Sequence, residues 1–106
     1  SSDLLLQLLS ATTASVNMII SGDVHWCEYS QLALSPDKIP LAELTSSGLT
    51  ETWEAISPNR HRVGEAYAVP NFGLIEIDWR GSKPRLHLSV RDQSSAALIE
   101  QRYPLL

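Results

Sequence analysis

The sequence has only one cysteine, Cys27, and no long run of charge of either sign. A single cysteine excludes an internal disulfide and a zinc cluster built on several thiolates. The chain carries 8 Lys and Arg against 12 Asp and Glu, which gives a net charge of −4. Because these charges are scattered, the sequence lacks the basic stripe of a nucleic-acid-binding surface and the polybasic segment that binds anionic membranes. We therefore expect no nucleic acid as a main partner.

The chain also lacks a long apolar run. Its longest ones, residues 4–6 and 16–20, are far shorter than the roughly 20 residues that span a membrane, so no transmembrane segment is expected. The N-terminus has no basic segment and no small-residue cleavage site, so no signal peptide is visible. The chain opens with serine instead of methionine, and we interpret it as a processed or cut-out segment. Its cellular compartment is therefore left undetermined.

What is present is a composition of 43% hydrophobic and 19% charged residues, typical of one globular domain with a modest core. Asp3 can cap a helix whose broad face of leucines is suited to packing on a sheet, and Thr12 and Thr13 should end it. Residues 16–20 are nearly all apolar and rich in β-branched side chains, which predicts a strand buried on both faces. A helix followed by a buried strand indicates an α/β unit.

The rest of the chain is predicted to be mainly β structure. Residues 26–34 fit either a helical turn or an extended return, and residues 97–103 fit either a strand or a frayed end. Between them we predict a turn at 35–38, a strand at 41–45, a long irregular stretch at 49–71, a strand at 72–79, a hairpin-like turn at 80–84 and a strand at 86–91. The last two strands alternate apolar and polar residues, which indicates an antiparallel pair with one buried face.

We therefore predict an α/β fold with one helix, a buried strand and a mainly antiparallel meander, all in a single partial domain over residues 1–106. A lone buried strand needs neighbouring strands, and this chain does not supply enough of them. The other half of the sheet would then be absent. Because a cut sheet exposes an unpaired edge and apolar surface, we expect the isolated chain to self-associate or to be marginally stable.

The sharpest local signal is the sequence SGDVH at residues 21–25. Asp23 and His25 follow the predicted buried strand, at the edge where ligands bind in open α/β sheets. Both can face one site if the backbone turns at Gly22. A carboxylate oxygen and a neutral imidazole nitrogen suit iron, manganese or zinc, and the carboxylate also suits calcium. The same triplet also fits a surface pair or an Asp–His hydrogen bond.

Residues 16–32, VNMIISGDVHWCEYSQL, resemble the last metal-binding motif of the PhoD-like phosphatases (alkaline phosphatase D), in the calcineurin-like metallophosphoesterase superfamily. Later blocks are similar to the family in the same order. LTSSGLT at 44–50 with Trp53 resembles the segment after that motif, and Asn59, residues 62–64 and residues 71–79 resemble its C-terminal strands. The resemblance covers about residues 5–91, nearly the whole chain.

The resemblance implies the C-terminal portion of a metallophosphoesterase β-sandwich flanked by helices, in a hydrolase of phosphomonoesters or phosphodiesters. Its cofactor would be a pair of metals, iron and calcium, that binds phosphate oxygens and activates water for in-line attack. Asp23 and His25 would be metal ligands, one to each metal, with the carboxylate toward calcium and the imidazole toward iron. No further catalytic residue and no substrate-binding residue is assigned.

The family builds most of its metal centre from earlier motifs: an aspartate or cysteine near the start, a Gly-Asp motif and an Asn-His motif. None of them occurs in this sequence. The chain alone is therefore expected to be inactive, and its partners would be a phosphate ester substrate and either the missing N-terminal half of the domain or another chain. The alternative is a non-catalytic fragment or partner-binding module that retains the C-terminal half of the fold.

Several other candidate residues have simpler interpretations. His61, between two arginines, could touch a phosphate, but a solvated loop in which Arg62 pairs with Glu65 or a strand acid is favoured. His87 alternates with leucines and should lie on the solvent-exposed face of its strand. The two tryptophans of the second half, Trp53 and Trp79, are assigned to the core or its edge.

The residues next to the SGDVH motif are also interpreted as structural. Cys27 is conceivable as a thiolate ligand, although burial as a small hydrophobe is the commoner role of a lone cysteine. Trp26 and Tyr29 could lie at the entrance of a substrate-binding site, but a role in packing of the hydrophobic core is favoured. Residues 46–48, Ser-Ser-Gly, lack the base and the strand–helix elbow of a nucleophilic serine, so a turn is predicted.

Overall fold

The computed structural model describes residues 2–105, which form one short helix and six strands in two three-stranded sheets. The elements are α1 (Ser2–Ala11), β1 (Met18–Ser21), β2 (Cys27–Leu32), β3 (Leu41–Ser46), β4 (Asn71–Asp78), β5 (Arg85–Asp92) and β6 (Ala97–Pro104). The chain is a small domain of mixed α/β type made mostly of strands, which agrees in outline with the predicted fold class. No helix within residues 2–105 is long and apolar enough to cross a membrane.

Helix α1 lies where the sequence predicts it. The helix begins at Ser2, so Asp3 lies inside the first turn and not before it as the predicted cap, and there its carboxylate interacts favourably with the positive end of the helix dipole. At the other end, the Thr12 amide and hydroxyl both donate to the Leu9 carbonyl, at 3.3 and 3.1 Å. The expected packing of the leucines on a sheet is wrong, because Leu4 and Leu8 are largely exposed. The described strands leave that face of the helix uncovered.

The first sheet has the strand order β1–β3–β2, with β1 parallel and β2 antiparallel to β3. β1 is a predicted strand, but its predicted burial on both faces is wrong, since Ile20 is 65% exposed. The reason is that β1 is an edge strand: within residues 2–105 it pairs with β3 alone, which leaves its second hydrogen-bonding edge free. The unpaired backbone groups along such an edge can pair with a further strand. β2 shows that the return after β1 is extended and not a helical turn.

The second sheet is the antiparallel meander β4–β5–β6, so the last segment is a strand and not a frayed end. The buried face predicted for β5 is confirmed, because Leu86 and Leu88 are buried. The buried face predicted for β4 is wrong, because Ile75 and Ile77 are substantially exposed. These isoleucines lie opposite Leu88 and Leu86, but on an edge strand that only one neighbouring strand shields.

The hydrophobic core lies between the two sheets. Tyr29 and Leu44 of the first sheet belong to the same buried cluster as Leu88 of the second. The end of β3 lies close to the beginning of β4, since a Cβ added to Gly73 would lie 3.2 Å from the Cβ of Ser46. Because β1 pairs with β3, this approach also places the start of the meander near the loop that follows β1.

Candidate functional site

The loop that follows β1 carries the two predicted ligands. This β1–β2 loop, residues 22–26, contains Asp23, which is exposed, and His25, which is half-buried. In a parallel pair the carboxyl ends of both strands meet at the same edge, so the loop lies beside the residues that follow β3. The structure therefore places both candidates at the sheet edge that the sequence predicts.

The backbone of the β1–β2 loop is unusual at both candidates. Asp23 has a φ of 73° and His25 a φ of 65°, in the left-handed region that only a few per cent of non-glycine residues adopt. Among residues 2–105 the other non-glycine residue in this region is Ser95, in the turn between β5 and β6. Such conformations cost about 1–2 kcal/mol per residue and persist where surrounding contacts determine them. The shape of this loop is therefore determined by its contacts with other segments of the chain.

The contacts that fix the loop come from the segment after β3. The His25 amide donates to Ser47 Oγ at 3.1 Å, and the His25 carbonyl accepts from the Trp53 amide at 2.9 Å. Gly48 packs against the same carbonyl, because a Cβ added to it would lie 3.0 Å from that oxygen and 2.7 Å from the Glu51 carbonyl oxygen. The peptide groups on both sides of His25 are thus held by residues 47–53.

A polar network next to this loop joins the two sheets. Ser46 Oγ donates to Asn71 Oδ1 at 2.8 Å, and Asn71 Nδ2 donates to the Ser47 carbonyl at 2.6 Å. Asn71 is buried, so these bonds are shielded from water. On the other side of β3, Ser21 Oγ donates to Glu43 Oε1 at 2.9 Å. Sequence reasoning missed these contacts, although two serines and a glycine directly after a strand are a signal that such a segment approaches another backbone closely.

Asp23 and His25 supply a carboxylate oxygen and an imidazole nitrogen, donor types that suit iron, manganese or zinc, and the carboxylate also suits calcium. Within residues 2–105, no group of three or more His, Cys, Asp or Glu side chains is arranged to hold a metal ion. The two residues therefore fit a part of a ligand set, and a complete metal site at this loop needs further donors.

The long irregular stretch covers the outer edge of β2. We call residues 59–67 the edge segment, because they run beside β2 and contact it through two isolated antiparallel bridges, Cys27 to Tyr67 and Ser30 to Arg62. The amides and carbonyls of Cys27 and Tyr67 bond reciprocally at 3.0 Å, and the Val63 amide donates to the Tyr29 carbonyl at 2.8 Å. The edge of the first sheet opposite β1 is therefore covered.

Arg62 anchors the edge segment to β2. Its Nε donates to Glu28 Oε2 at 2.5 Å, and Asn59 Nδ2 donates to Glu28 Oε1 at 3.2 Å. Of the two partners that the sequence left open for Arg62, Glu65 or a strand acid, the structure therefore shows a strand acid, Glu28. The neighbouring His61 accepts from Arg60 Nε at 3.3 Å, through Nε2. Both residues thus have a structural role in the edge segment.

Arg62→Ala is expected to lower the free energy of unfolding by roughly 1–3 kcal/mol, because it leaves a mostly buried carboxylate with one fewer charged partner. The Glu28 side chain is only 11% exposed. The matched control is Arg102→Ala, whose guanidinium is 69% exposed and 3.6 Å from Glu100, and which should change stability by no more than about 0.5 kcal/mol. Urea denaturation followed by tryptophan fluorescence measures both. Equal losses in the two variants would contradict the anchoring role.

The residues next to the β1–β2 loop are packing residues. Cys27 is fully buried, and burial raises the pKa of its thiol to about 11, so the group stays protonated at neutral pH. Cys27 also belongs to the hydrophobic core cluster, and its thiol donates to the Tyr67 carbonyl at 3.6 Å, so its interpretation as a small buried hydrophobe is favoured. Trp26 and Tyr29 are also buried, which supports their assignment to packing.

Two other assignments change in the structure. The assignment of Trp53 and Trp79 to the core or its edge is wrong, since both are more than half exposed and lie outside the strands. His87 lies on the face of β5 opposite the leucines, as predicted, but it is not free in solvent. Its Nδ1 is 3.0 Å from Glu76 Oε2 and its Nε2 is 3.3 Å from Glu100 Oε1.

Comparisons of the chain with protein-family models, with curated proteins and with solved structures give no match. The similarity to PhoD-like phosphatases therefore stays a prediction from the sequence. The geometry of the β1–β2 loop is the structural observation that bears on what the chain does.

Proposed function

We propose that this chain is the C-terminal part of a PhoD-like phosphoesterase, a metal-dependent enzyme that hydrolyses phosphomonoesters or phosphodiesters. The observation that carries the proposal is the β1–β2 loop, in which Asp23 and His25 both have left-handed backbones at the carboxyl end of a parallel strand. Strained non-glycine backbone that is held by surrounding contacts occurs preferentially at functional sites. The edge of the sheet where it occurs is the one at which α/β sheets bind ligands.

Within this proposal Asp23 and His25 have different roles. The exposed carboxylate of Asp23 is the hard oxygen donor suited to calcium, and the half-buried imidazole of His25 is the nitrogen donor suited to iron. When bound, such a pair supplies positive charge for the phosphate oxygens and lowers the pKa of a water molecule. The contribution of the chain itself is to present the two donors two residues apart on a loop of fixed shape.

The rest of the ligand set is proposed to come from a preceding half of the domain or from another chain. Two observations support this. The described residues bring together no third His, Cys, Asp or Glu donor at the loop. The second edge of β1 is unpaired within residues 2–105, and Ile20 is exposed on that strand. A further strand beside β1 would extend the parallel part of the sheet and place its own carboxyl end next to the loop.

The test is hydrolysis of an aryl phosphodiester with iron, calcium and manganese each supplied. The 106-residue chain is compared with the product of the complete reading frame that encodes it. We expect no turnover by the chain and metal-dependent turnover by the complete product. If the complete product shows no turnover with any of the three metals, the proposal is contradicted. Turnover by the chain alone that is lost in Asp23→Ala would show that it completes its site without further donors.

The alternative, a non-catalytic partner-binding module, is favoured by the edge of β1 that has no partner strand within residues 2–105 and by the exposure of Ile20 on that strand. It predicts that the complete reading frame contains no Gly-Asp or Asn-His motif before Asp23. It also predicts that the chain binds an extended peptide at β1 with unchanged affinity after His25→Ala. The presence of both motifs together with metal-dependent turnover would exclude it.

A further inference from the structure

Ser47 stands out among the residues around the β1–β2 loop, because its side chain binds the backbone of a proposed ligand. Its Oγ accepts the His25 amide at 3.1 Å, although the two residues are 22 positions apart in the chain. Ser47 is itself fixed, since its carbonyl accepts from the buried Asn71 side chain at 2.6 Å. The hydrogen bond to His25 therefore starts from a rigid part of the molecule.

We propose that Ser47 is a positioning residue for the Asp23–His25 pair: its hydroxyl holds the His25 amide and so maintains the left-handed backbone that presents the imidazole. The use of the pair as metal ligands rests on the proposed function, whereas the hydrogen bond that positions it does not. Without this bond the His25 amide would have no side-chain partner. The φ of 65° at His25 is intrinsically unfavourable, so it needs such contacts to persist.

The neighbouring residues do not duplicate this role through their side chains. The Ser46 hydroxyl donates to Asn71 and joins the sheets. Trp53 holds the His25 carbonyl through its own backbone amide, which a side-chain substitution leaves in place. Gly48 acts by the absence of a side chain. Ser47 is therefore the position at which a single substitution removes a hydrogen bond to His25 and adds no bulk.

The experiment compares Ser47→Ala, Ser47→Thr and the control Thr50→Ala, an exposed residue of the same segment, in the 15N-labelled chain. Hydrogen exchange at the His25 amide should rise about tenfold in Ser47→Ala, as expected for the loss of one hydrogen bond. Ser47→Thr keeps a hydroxyl and should restore the rate, and Thr50→Ala should leave it unchanged. The amides of Leu88 and Val90, both fully buried, report in the same spectra whether each variant is folded.

A second measurement uses Mn²⁺ as a paramagnetic probe of the Asp23–His25 pair. In the unmodified chain it should broaden the resonances of Asp23 and His25, and in Ser47→Ala the concentration for half-maximal broadening should rise several-fold. Ser47→Thr should restore it. If the Ser47 hydrogen bond were merely structural, the Mn²⁺ concentration for half-maximal broadening would be the same in Ser47→Ala as in the unmodified chain. Either that result or an unchanged exchange rate at the His25 amide overturns the positioning role.

The same data separate this inference from the proposed function. If Mn²⁺ broadens neither residue of the unmodified chain, the proposed metal site loses support. The positioning role is then decided by the backbone scalar coupling that reports φ of His25. Loss of its left-handed value in Ser47→Ala and recovery in Ser47→Thr support the role. Retention of that value in the folded Ser47→Ala variant overturns it.

Discussion

His25→Ala in the product of the complete reading frame is expected to lower kcat for phosphodiester hydrolysis by at least about a hundredfold, with the fold retained. Loss of a residue that only orients a metal ligand lowers metal affinity or activity by roughly 10–100-fold. Loss of the ligand itself should lower activity by at least as much. The fold should persist because His25 is half-buried and its hydrogen bonds to Ser47 and Trp53 use its backbone amide and carbonyl. Alanine keeps those backbone groups.

The matched control is His61→Ala, which removes an imidazole from the edge segment. The His61 ring accepts from Arg60, and its backbone amide donates to the Asn59 side chain. This variant should retain turnover within a factor of about two, as expected of a surface position away from the site. Far-UV circular dichroism checks the fold of both variants. Full activity in His25→Ala would remove the histidine from the proposed centre, and equal losses in both would point to a phosphate contact by His61.

The positions of most strands along the chain could be predicted from the sequence, whereas the burial of their faces could be predicted only in part. Alternation in β5 predicted its buried leucines correctly, because β5 is the central strand of its sheet and is shielded on both sides. The same pattern failed in β4, and the apolar run of β1 failed as well, because both are edge strands. Which strand lies at an edge depends on long-range pairing, and a local pattern of residue types does not specify it.

The candidate site shows the same division between local and long-range information. The position of Asp23 and His25 after a strand was predictable, because strand, glycine and polar residues follow one another directly. The hydrogen bonds that join His25 to the Ser47 hydroxyl and to the Trp53 amide were not predictable, since these partners lie 22 and 28 residues further along the chain. Nor did the sequence indicate left-handed backbones at Asp23 and His25, which tertiary contacts impose against the intrinsic preference of each residue.

Gly48→Ala is expected to lower the free energy of unfolding by about 2–5 kcal/mol, from the sum of two effects. Gly48 has a φ of 94°, where any L side chain is strained. A Cβ would in addition lie 2.7 Å from the Glu51 carbonyl oxygen and 3.0 Å from that of His25, and backbone atoms cannot move aside as a flexible side chain would. The β1–β2 loop must therefore shift or its support must open.

The control that separates these effects is Gly64→Ala. Gly64 has a φ of 75°, and a Cβ there would meet nothing within 4 Å, so only the backbone strain of about 1–2 kcal/mol applies. Urea denaturation compares the two variants, and the difference between them measures the packing of Gly48 against the loop. Because one of the two oxygens in question belongs to His25, Gly48→Ala should also increase exchange at the Trp53 amide, which donates to that oxygen. Equal losses of stability and an unchanged exchange rate would mean that the loop does not depend on this contact.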